Sequence, residues 1–332
     1  MAERWRCLRS VPETRLIGVV VLMSVILAIT TPRFATMQNL MDLVTSTAFT
    51  GILATGLLVV LVSGGVDISF AATASITQYI GLTLTNHGLV GWPGLILVCL
   101  LIGALLGLVN AVLVSTLRLS SIIVTIATQS LFYGLLMSIT KGQDIYLLPD
   151  WFSDGPHWVI YTDSHGAQQA LNLQILTLVI VIAFTWWMMS RSSIGRQITA
   201  MGGNPEAARR VGFKVFQLNL IVYCFMGMIA GLASLVHAQY VQSVSPSALV
   251  GRELDVLAAV VLGGASLNGG IGSVPGTALG VVLLAILQNG LALLGVSSYW
   301  SELCTGIVIL CAVATMARQR VHRKAALKGA VA

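Results

Sequence analysis

The sequence predicts an all-α, polytopic transmembrane bundle of about ten helices, in a single domain that covers residues 1–332. Hydrophobic residues make up 56% of the chain, charged residues only 9%, and the mean hydropathy is +0.90. Long apolar stretches recur along the chain, and the charges between them are sorted by sign. A soluble domain of this length would not carry so apolar a surface, so the predicted solvent is a lipid bilayer.

The predicted spans are stretches long and apolar enough to cross a bilayer, which takes roughly 20 residues. In the first half they are Leu16–Thr31, Leu43–Val62, Ile68–Thr85, Leu89–Leu117 and Leu119–Thr140. In the second half they are Leu171–Ser190, Val215–Val236, Val256–Leu267, Val274–Leu294 and Leu303–Ala317. The fourth is long enough to tilt or to include a surface turn, and the eighth is short and glycine-rich, which predicts a half-span or a broken helix.

The charges orient this bundle, because short loops rich in Lys and Arg stay cytoplasmic. Ten alternating spans that start inside place these basic residues in the cytoplasm: Arg4, Arg6, Arg9, Arg15, Arg118, Arg191, Arg196, Arg209, Arg210, Lys214 and those from Arg318 to Lys328. The same alternation places these acidic residues outside: Asp144, Asp150, Asp154, Asp163, Glu253, Asp255 and Glu302. Both termini are predicted to be cytoplasmic, and the net charge of +6 reflects this sorting rather than a nucleic-acid surface.

The largest loops divide the chain near its middle. The outside loop covers residues 141–170 and the basic inside loop residues 191–214. They separate a first half of about 16–140 from a second half of about 171–317, which a cytoplasmic tail at 318–332 follows. Five spans in each half would give the halves opposite orientations, as in an inverted repeat. The internal likeness is limited to Leu57–Ser69 and Ala258–Gly270, where apolar, strand-like residues run into a glycine pair.

Small residues at four-residue spacing predict faces where helix backbones approach closely. The spacing occurs at Gly103 and Gly107, at Gly227 and Gly231, and in the triplet Gly272, Gly276 and Gly280. We interpret these glycines as packing faces rather than functional sites.

One segment, Ser63-Gly64-Gly65-Val66-Asp67-Ile68-Ser69, interrupts an otherwise uncharged region. Two glycines and a carboxylate do not lie in lipid; they need a bundle interior, an aqueous cavity or the surface. One interpretation is an unwound helix whose backbone and Asp67 border the pathway of a polar solute. The other is a tight cytoplasmic turn capped by Asp67 and Ser69. The residues themselves favour neither.

A short helix is predicted in the inside loop, within Gly202-Gly203-Asn204-Pro205-Glu206-Ala207-Ala208-Arg209-Arg210-Val211-Gly212. Asn204 is a suitable N-cap, Pro205 suits the first turn, Glu206 complements the helix N-terminus and Gly212 can end the helix in a left-handed conformation. This helix is either an ordinary loop helix or a rigid protrusion that docks into another protein.

The sequence shows no catalytic constellation and no Cys or His cluster with metal-ligand spacing. It also contains no Gly-Lys pair, which excludes a P-loop. We therefore do not expect an intramembrane enzyme, and we expect no cofactor or metal bound by this chain. Any use of ATP requires a partner.

Four segments, in order, resemble the permease subunits of bacterial ribose-type sugar ABC importers. They are VLVSGGVDIS at 60–69, AMGGNPEAARRVG at 200–212, ELDVLAAVVLGGASLNGGIGSVPGTALG at 253–280 and NGLALLGVSSYW at 289–300. The resemblance covers nearly the whole chain. It implies a multi-pass protein of the bacterial inner membrane that works with a second permease copy, identical or paralogous, an ABC ATPase that binds ATP and Mg, and a periplasmic sugar-binding protein.

The resemblance also implies roles for named residues. The ATPase-coupling segment would comprise Gly202, Gly203, Asn204, Pro205, Glu206, Ala207, Ala208, Arg209 and Gly212. The candidates for the solute pathway are Ser63, Gly64, Gly65, Asp67, Ser69, Asn110, Gln129, Gln288 and Asn289. An isolated polar residue in a span has a common alternative role as an interhelical hydrogen-bonding group. Phe70-Ala71-Ala72 after Ser69 departs from the usual pattern and resembles the branch that imports the furanosyl signal autoinducer-2.

Two other functions compete with an ATP-driven importer. An ion-coupled secondary transporter would place carboxylates deep in several spans, and only Asp67 fits that description. A passive channel or membrane scaffold would need neither a coupling helix nor partners.

Overall fold

A computed structural model describes residues 12–117, 119–162, 168–308 and 310 of the chain. Arg118, Asp163, the three N-terminal arginines and the predicted tail at 318–332 therefore lie outside the described residues. The elements are α1 Pro12–Thr30, α2 Met37–Val62, α3 Phe70–Asn86, α4 Trp92–Leu117, α5 Ser121–Thr140, α6 Asp150–Ser153, β1 His157–Thr162, β2 Gln168–Asn172, α7 Leu173–Arg191, α8 Ser193–Gly203, α9 Pro205–Arg210, α10 Val215–Val241, α11 Glu253–Leu262, α12 Val274–Leu293 and a further helical segment, α13, at 298–308.

The helical bundle is confirmed, and in the described part of the chain seven helices are long and apolar enough to span a membrane: α1, α2, α4, α5, α7, α10 and α12. The other three predicted spans differ from these. Helix α3 has 17 residues, α11 has only 10, and the last predicted span is described only in part. The short α11 agrees with the half-span predicted from its glycines. The count of ten spans and the cytoplasmic location of both termini stay predictions.

The core forms around the C-terminal half of α2, where every residue from Gly51 to Val62 is buried. A helix that is apolar all round packs in the interior of a bundle. Helices α10, α7, α11 and α12 pack around it, while α1 packs against α12 at the periphery. The window Glu13–Thr30 is only 6% buried, so α1 contributes little to the core.

The predicted glycine faces are packing surfaces. A Cβ at Gly103 of α4 would lie 2.1 Å from the carbonyl oxygen of Gly227, and one at Gly227 of α10 would lie 2.0 Å from that of Gly103. Gly107 and Gly231 continue the same contact along the two helices. Gly280 of α12 likewise meets the backbone of α11, because a Cβ there would lie 2.1 Å from the oxygen of Ala259. These pairs of helices touch backbone to backbone.

This contact predicts the effect of a side chain at Gly103. We expect Gly103→Val to force α4 and α10 apart and to lower stability by about 1–3 kcal/mol, the usual cost of overpacking. The measurement is the apparent melting temperature of the purified protein in detergent. Gly134→Val is the matched control, since a Cβ at Gly134 of α5 would meet nothing within 4 Å. Equal melting temperatures for the two variants would show that the backbones are not in contact.

The outside loop carries structure that the all-α prediction did not include. Strands β1 and β2 form an antiparallel hairpin in which His157 pairs with Asn172, with an irregularity between Val159 and Tyr161. Nearer the start of the loop, Ile145 exchanges two backbone hydrogen bonds with Val244, of 2.8 and 2.9 Å. The loop therefore lies at the same end of the bundle as the C-terminus of α10, as the predicted alternation requires.

Candidate functional site

Helix α2 ends in a glycine turn. Ser63 Oγ donates to the Val60 carbonyl at 2.7 Å, Gly64 has a φ of +90°, and the amide of Gly65 donates to the same carbonyl at 3.2 Å. This is a Schellman-type C-cap, which needs a left-handed residue that only glycine adopts without strain. A Cβ at Gly65 would lie 2.6 Å from Tyr223 Oη, so the second glycine is required by space.

Asp67 belongs to a buried polar cluster just beyond that turn. Its carboxylate, on a residue only 3% exposed, accepts from the amide and the hydroxyl of Ser69 at 2.8 and 2.7 Å. Asn110 of α4 donates to the Ser69 hydroxyl at 2.6 Å. Burial raises the pKa of Asp67 to about 6, although the hydrogen bonds from Ser69 act in the opposite direction. These contacts close a tight turn between Asp67 and Ser69, but both residues are buried in the bundle, so the two interpretations of the segment stay predictions. A pathway role for Asp67, Ser69 and Asn110 also stays a prediction.

One face of α5 holds the segment between the turn and α3. Ser121 Oγ accepts from the amide of Val66 at 2.9 Å, and Thr125 Oγ1 accepts from the amide of Ile68 at 3.2 Å. Residues four apart lie on the same side of a helix. The two hydroxyls therefore satisfy backbone donors that the unwound segment would otherwise leave unpaired.

The next residue on that face of α5, Gln129, contacts α11. Its Nε2 donates to Glu253 Oε1 at 2.6 Å, and the amide of Gly251 donates to the other carboxylate oxygen at 2.7 Å. The sequence placed Glu253 outside, and this sidedness stays a prediction, but the residue is buried rather than in an open loop. Glu253 is 6% exposed and meets the middle of a helix of spanning length, because the chain after α10 turns back into the bundle and pairs the carboxylate there.

Helix α11 ends in a second turn of the same kind. Gly264 has a φ of +94°, and the amide of Ala265 donates to the Val260 carbonyl at 3.2 Å. The pattern repeats that of residues 60–65 at an offset of 200 positions. Both turns follow helices, so the strand-like description of these segments was wrong.

The turn after α2, the loop after α11 and the end of α8 meet in a contact that we call the glycine junction: Gly64, Gly202, Gly269 and Gly270. The amide of Gly270 donates to the Val62 carbonyl at 2.9 Å. A Cβ at Gly202 would lie 1.8 Å from that carbonyl oxygen, and one at Gly269 would lie 2.6 Å from Gly64 Cα. No side chain fits between these backbones.

The junction also bears on the inverted repeat. Because the turn after α2 meets the loop that directly follows α11, both helices run toward the same end of the bundle. Elements related by an inverted repeat run in opposite directions. The likeness of these two segments therefore does not support an inverted repeat, which stays a prediction from span counting.

The predicted helix of the inside loop forms as α9, directly beyond the junction. Asn204 Oδ1 accepts from the amide of Ala207 at 3.0 Å, and Pro205 occupies the first turn. Gly212 has a φ of +88° and closes the C-terminus, where its amide donates to the Arg209 carbonyl at 2.9 Å. The caps predicted from the sequence are thus confirmed.

Most of the α9 surface is free for a partner. Ala208 is buried, whereas residues 203–207 and 209–212 are exposed. Val211, which the sequence analysis did not single out, is 73% exposed. An apolar residue beside the arginines of a basic loop was the signal that could have identified it.

The last two pathway candidates, Gln288 and Asn289, lie in different surroundings. Asn289 and Asn39 of α2 exchange side-chain hydrogen bonds of 3.1 and 3.0 Å, the interhelical role offered as the alternative. Gln288, its neighbour on α12, is exposed and lines a polar cleft of about 470 Å³. The nine named residues thus do not form one site.

That cleft, which we call the outer cleft, includes residues that the sequence analysis did not propose as pathway residues. Besides Gln288, they include Arg252, Asp255, Ser298, Ser301 and Glu302. Arg252 also lines an adjoining cavity of about 90 Å³ with His237 and Tyr240 of α10. The signal was the group of charged residues at the start of α11, but only the fold shows that Arg252 and Asp255 line a cleft with α12 and α13.

Comparisons with known proteins agree with one another. Residues 39–313 match the family described as branched-chain amino acid transport system / permease component. The chain is 33% identical to the ribose import permease protein RbsC of Escherichia coli K12, over 91% of this chain and 92% of that protein. It is 29% identical to the L-arabinose ABC transporter permease protein AraH of Azospirillum brasilense, over 90% and 86% of the two chains, and 30% identical to the xylose transport system permease protein XylH of E. coli K12, over 83% and 84%. No solved structure matches.

Proposed function

The chain belongs to the branched-chain amino acid transport system / permease component family, and from this we propose that it forms the translocation pathway of an ATP-driven, binding-protein-dependent importer of a monosaccharide or sugar-like solute. It is a multi-pass membrane protein with a transport role. The ATPase, the binding protein, the second permease copy and the bacterial inner membrane belong to the proposal. ATP and Mg would be bound by the partner ATPase.

The observation that carries the proposal is the connection between α9 and the core. Helix α9 is capped at both ends and exposed, as a docking element must be. Helix α8 leads into it without a flexible link, because the amide of Asn204 still donates to the Ala200 carbonyl at 3.1 Å. Gly202, at the end of α8, packs directly on the turn that follows α2 and on the loop that follows α11. A force on α9 would therefore reach two helices of the core.

The mechanism that follows is alternating access. Closure of the ATPases displaces α9, and the glycine junction passes this displacement to α2 and α11. Because packed helices switch between discrete arrangements rather than deform continuously, the bundle moves as bodies. The pathway then changes the side to which it opens.

The relatives and one buried residue support a monosaccharide as the solute. The three relatives are named as permeases for ribose, L-arabinose and xylose. Phe70, on which the autoinducer-2 interpretation rests, is 1% exposed at the start of α3 and belongs to the core. We therefore propose a monosaccharide in preference to the furanosyl signal.

Reconstitution tests this function. The permease, its ATPase and its binding protein are placed in liposomes, and uptake of labelled ribose, arabinose and xylose is followed with and without ATP. We expect uptake of at least one sugar that requires ATP and persists when ion gradients are collapsed. Uptake by the permease alone, driven by an ion gradient, would instead support a secondary transporter.

The docking role of α9 gives a separate prediction. We expect Glu206→Lys with Gly212→Leu to reduce ATPase affinity about tenfold, because the first change places a cation at the helix N-terminus and the second strains the left-handed C-cap. The measurement is ATPase binding to the immobilised permease. The control is Gly134→Leu, on a part of α5 with open space. Unchanged affinity in the α9 variant would separate α9 from ATPase binding.

A further inference from the structure

Charged and polar side chains line much of the outer cleft. Arg252, Asp255 and Glu302 contribute charges, and Gln288 contributes an amide. Charged and amide groups at the depth of spanning helices face water or protein rather than acyl chains. The volume of about 470 Å³ lies within the range of small-molecule sites.

Its location is at the far end of α12 from the glycine junction. Helix α12 begins at Val274, a few residues after Gly270, and Gln288 lies 14 residues further along. At 1.5 Å per residue this separation is about 21 Å. The cleft therefore opens toward the end of the bundle where the charge pattern places the outside, and a solute released by an external binding protein would meet it first.

The lining matches a neutral polyhydroxylated molecule. Carboxylates accept hydrogen bonds, guanidinium donates them, and the amide of Gln288 and the hydroxyls of Ser298 and Ser301 can do both. Sugar hydroxyls are themselves donors and acceptors, so each can pair with several of these groups. Two carboxylates against one guanidinium disfavour an anionic solute.

Hydrogen bonds through α5 also connect the outer cleft to the region of the glycine junction. Arg252 and Asp255 flank Glu253, which Gln129 binds to α5. The same face of α5 holds residues 66–68 beside the glycine junction through Ser121 and Thr125. A shift of the junction would thus reach the cleft along a single helix.

We propose that the outer cleft is the outward-facing binding site for a neutral polyhydroxylated solute, with Arg252, Asp255, Gln288 and Glu302 as its contacting side chains. This inference rests on the proposed importer function and locates its solute site. It also assigns solute contact to residues other than the Asp67 cluster.

The first test is uptake of labelled ribose, arabinose and xylose by the reconstituted transporter. We expect Asp255→Asn with Glu302→Gln to lower ATP-driven uptake about tenfold, because each carboxylate loses one acceptor and its charge. Binding of the ATPase should not change. Asp144→Asn is the control for loss of a carboxylate, since it neutralises one exposed acidic residue of the outside loop.

The second test is labelling, which does not depend on transport. In a cysteine-free background, we expect Gln288→Cys to react with a charged thiosulfonate added outside. Val282→Cys is the control and should not react, because Val282 is exposed on another face of α12, where we expect lipid to exclude the charged reagent. Equal uptake by the carboxylate variant and wild type, or no reaction at residue 288, would overturn the inference alone. Absence of ATP-driven uptake in wild type would reject the importer function and this inference with it.

Discussion

Gly202→Ala is expected to abolish ATP-coupled uptake while the ATPase still binds. The added methyl carbon would lie 1.8 Å from the Val62 carbonyl oxygen and 2.8 Å from the Gly270 nitrogen, which form a hydrogen bond with each other. Backbone atoms cannot yield as a flexible side chain can. The end of α8 must therefore move away from the turn after α2 and the loop after α11. We expect uptake to fall to the level without ATP, measured in proteoliposomes beside ATPase co-purification.

Gly203→Ala is the control for this variant. It adds the same methyl group one residue later, where a Cβ would meet nothing within 4 Å. We expect its uptake to equal that of wild type. If Gly202→Ala also transports normally, the glycine junction does not transmit motion, and the mechanism proposed for α9 is wrong.

Gln129→Leu is the second change with a large expected effect. It removes the side-chain donor to Glu253 and leaves a buried carboxylate oxygen without that partner. Loss of one partner from a buried polar pair costs about 1–3 kcal/mol, and more when the group left behind is charged. We expect a lower melting temperature together with reduced uptake, because α11 is no longer fixed to α5.

Two further variants separate this pairing from a general effect of leucine. Ser130→Leu introduces the same side chain at the next position of α5, which is exposed, and should melt as wild type does. Gln129→Leu with Glu253→Leu removes both polar partners and should recover part of the lost stability. If the double variant is less stable than the sum of its single changes, the two residues are not paired.

Local features of the sequence predicted much of the fold correctly. The caps of α9 depend on side chains within three or four residues, so Asn204 and Gly212 could be identified from the sequence. The packing faces at Gly103 and at Gly227 followed from spacing, because small residues four apart make a smooth stripe on one helix face, whereas only the fold shows that the two faces meet. Helix length and apolar composition likewise predicted seven of the spans.

The candidate site could be predicted only in part, because its contacts join distant segments. Asp67, Ser69 and Asn110 were each proposed, but their cluster requires α4 to pass beside the turn after α2. The pairing of Glu253 with Gln129 was not predicted, because sequence alternation cannot show that a chain turns back into a bundle. Gln288 and Asn289 are adjacent, yet 100° of helical rotation directs one into the outer cleft and the other to Asn39.

The sequence by itself determined that this chain is a membrane protein and which long apolar segments form helices. It also determined where the exposed helix of the basic loop begins and ends. These properties depend on hydrophobic transfer, backbone propensity and capping, which act over a few residues. The tertiary structure alone decided that Gly64, Gly202, Gly269 and Gly270 meet, and that Arg252 faces Gln288. Such meetings depend on how whole helices pack, since shape and close backbone contact select neighbours that are 36 to 206 residues apart in the chain.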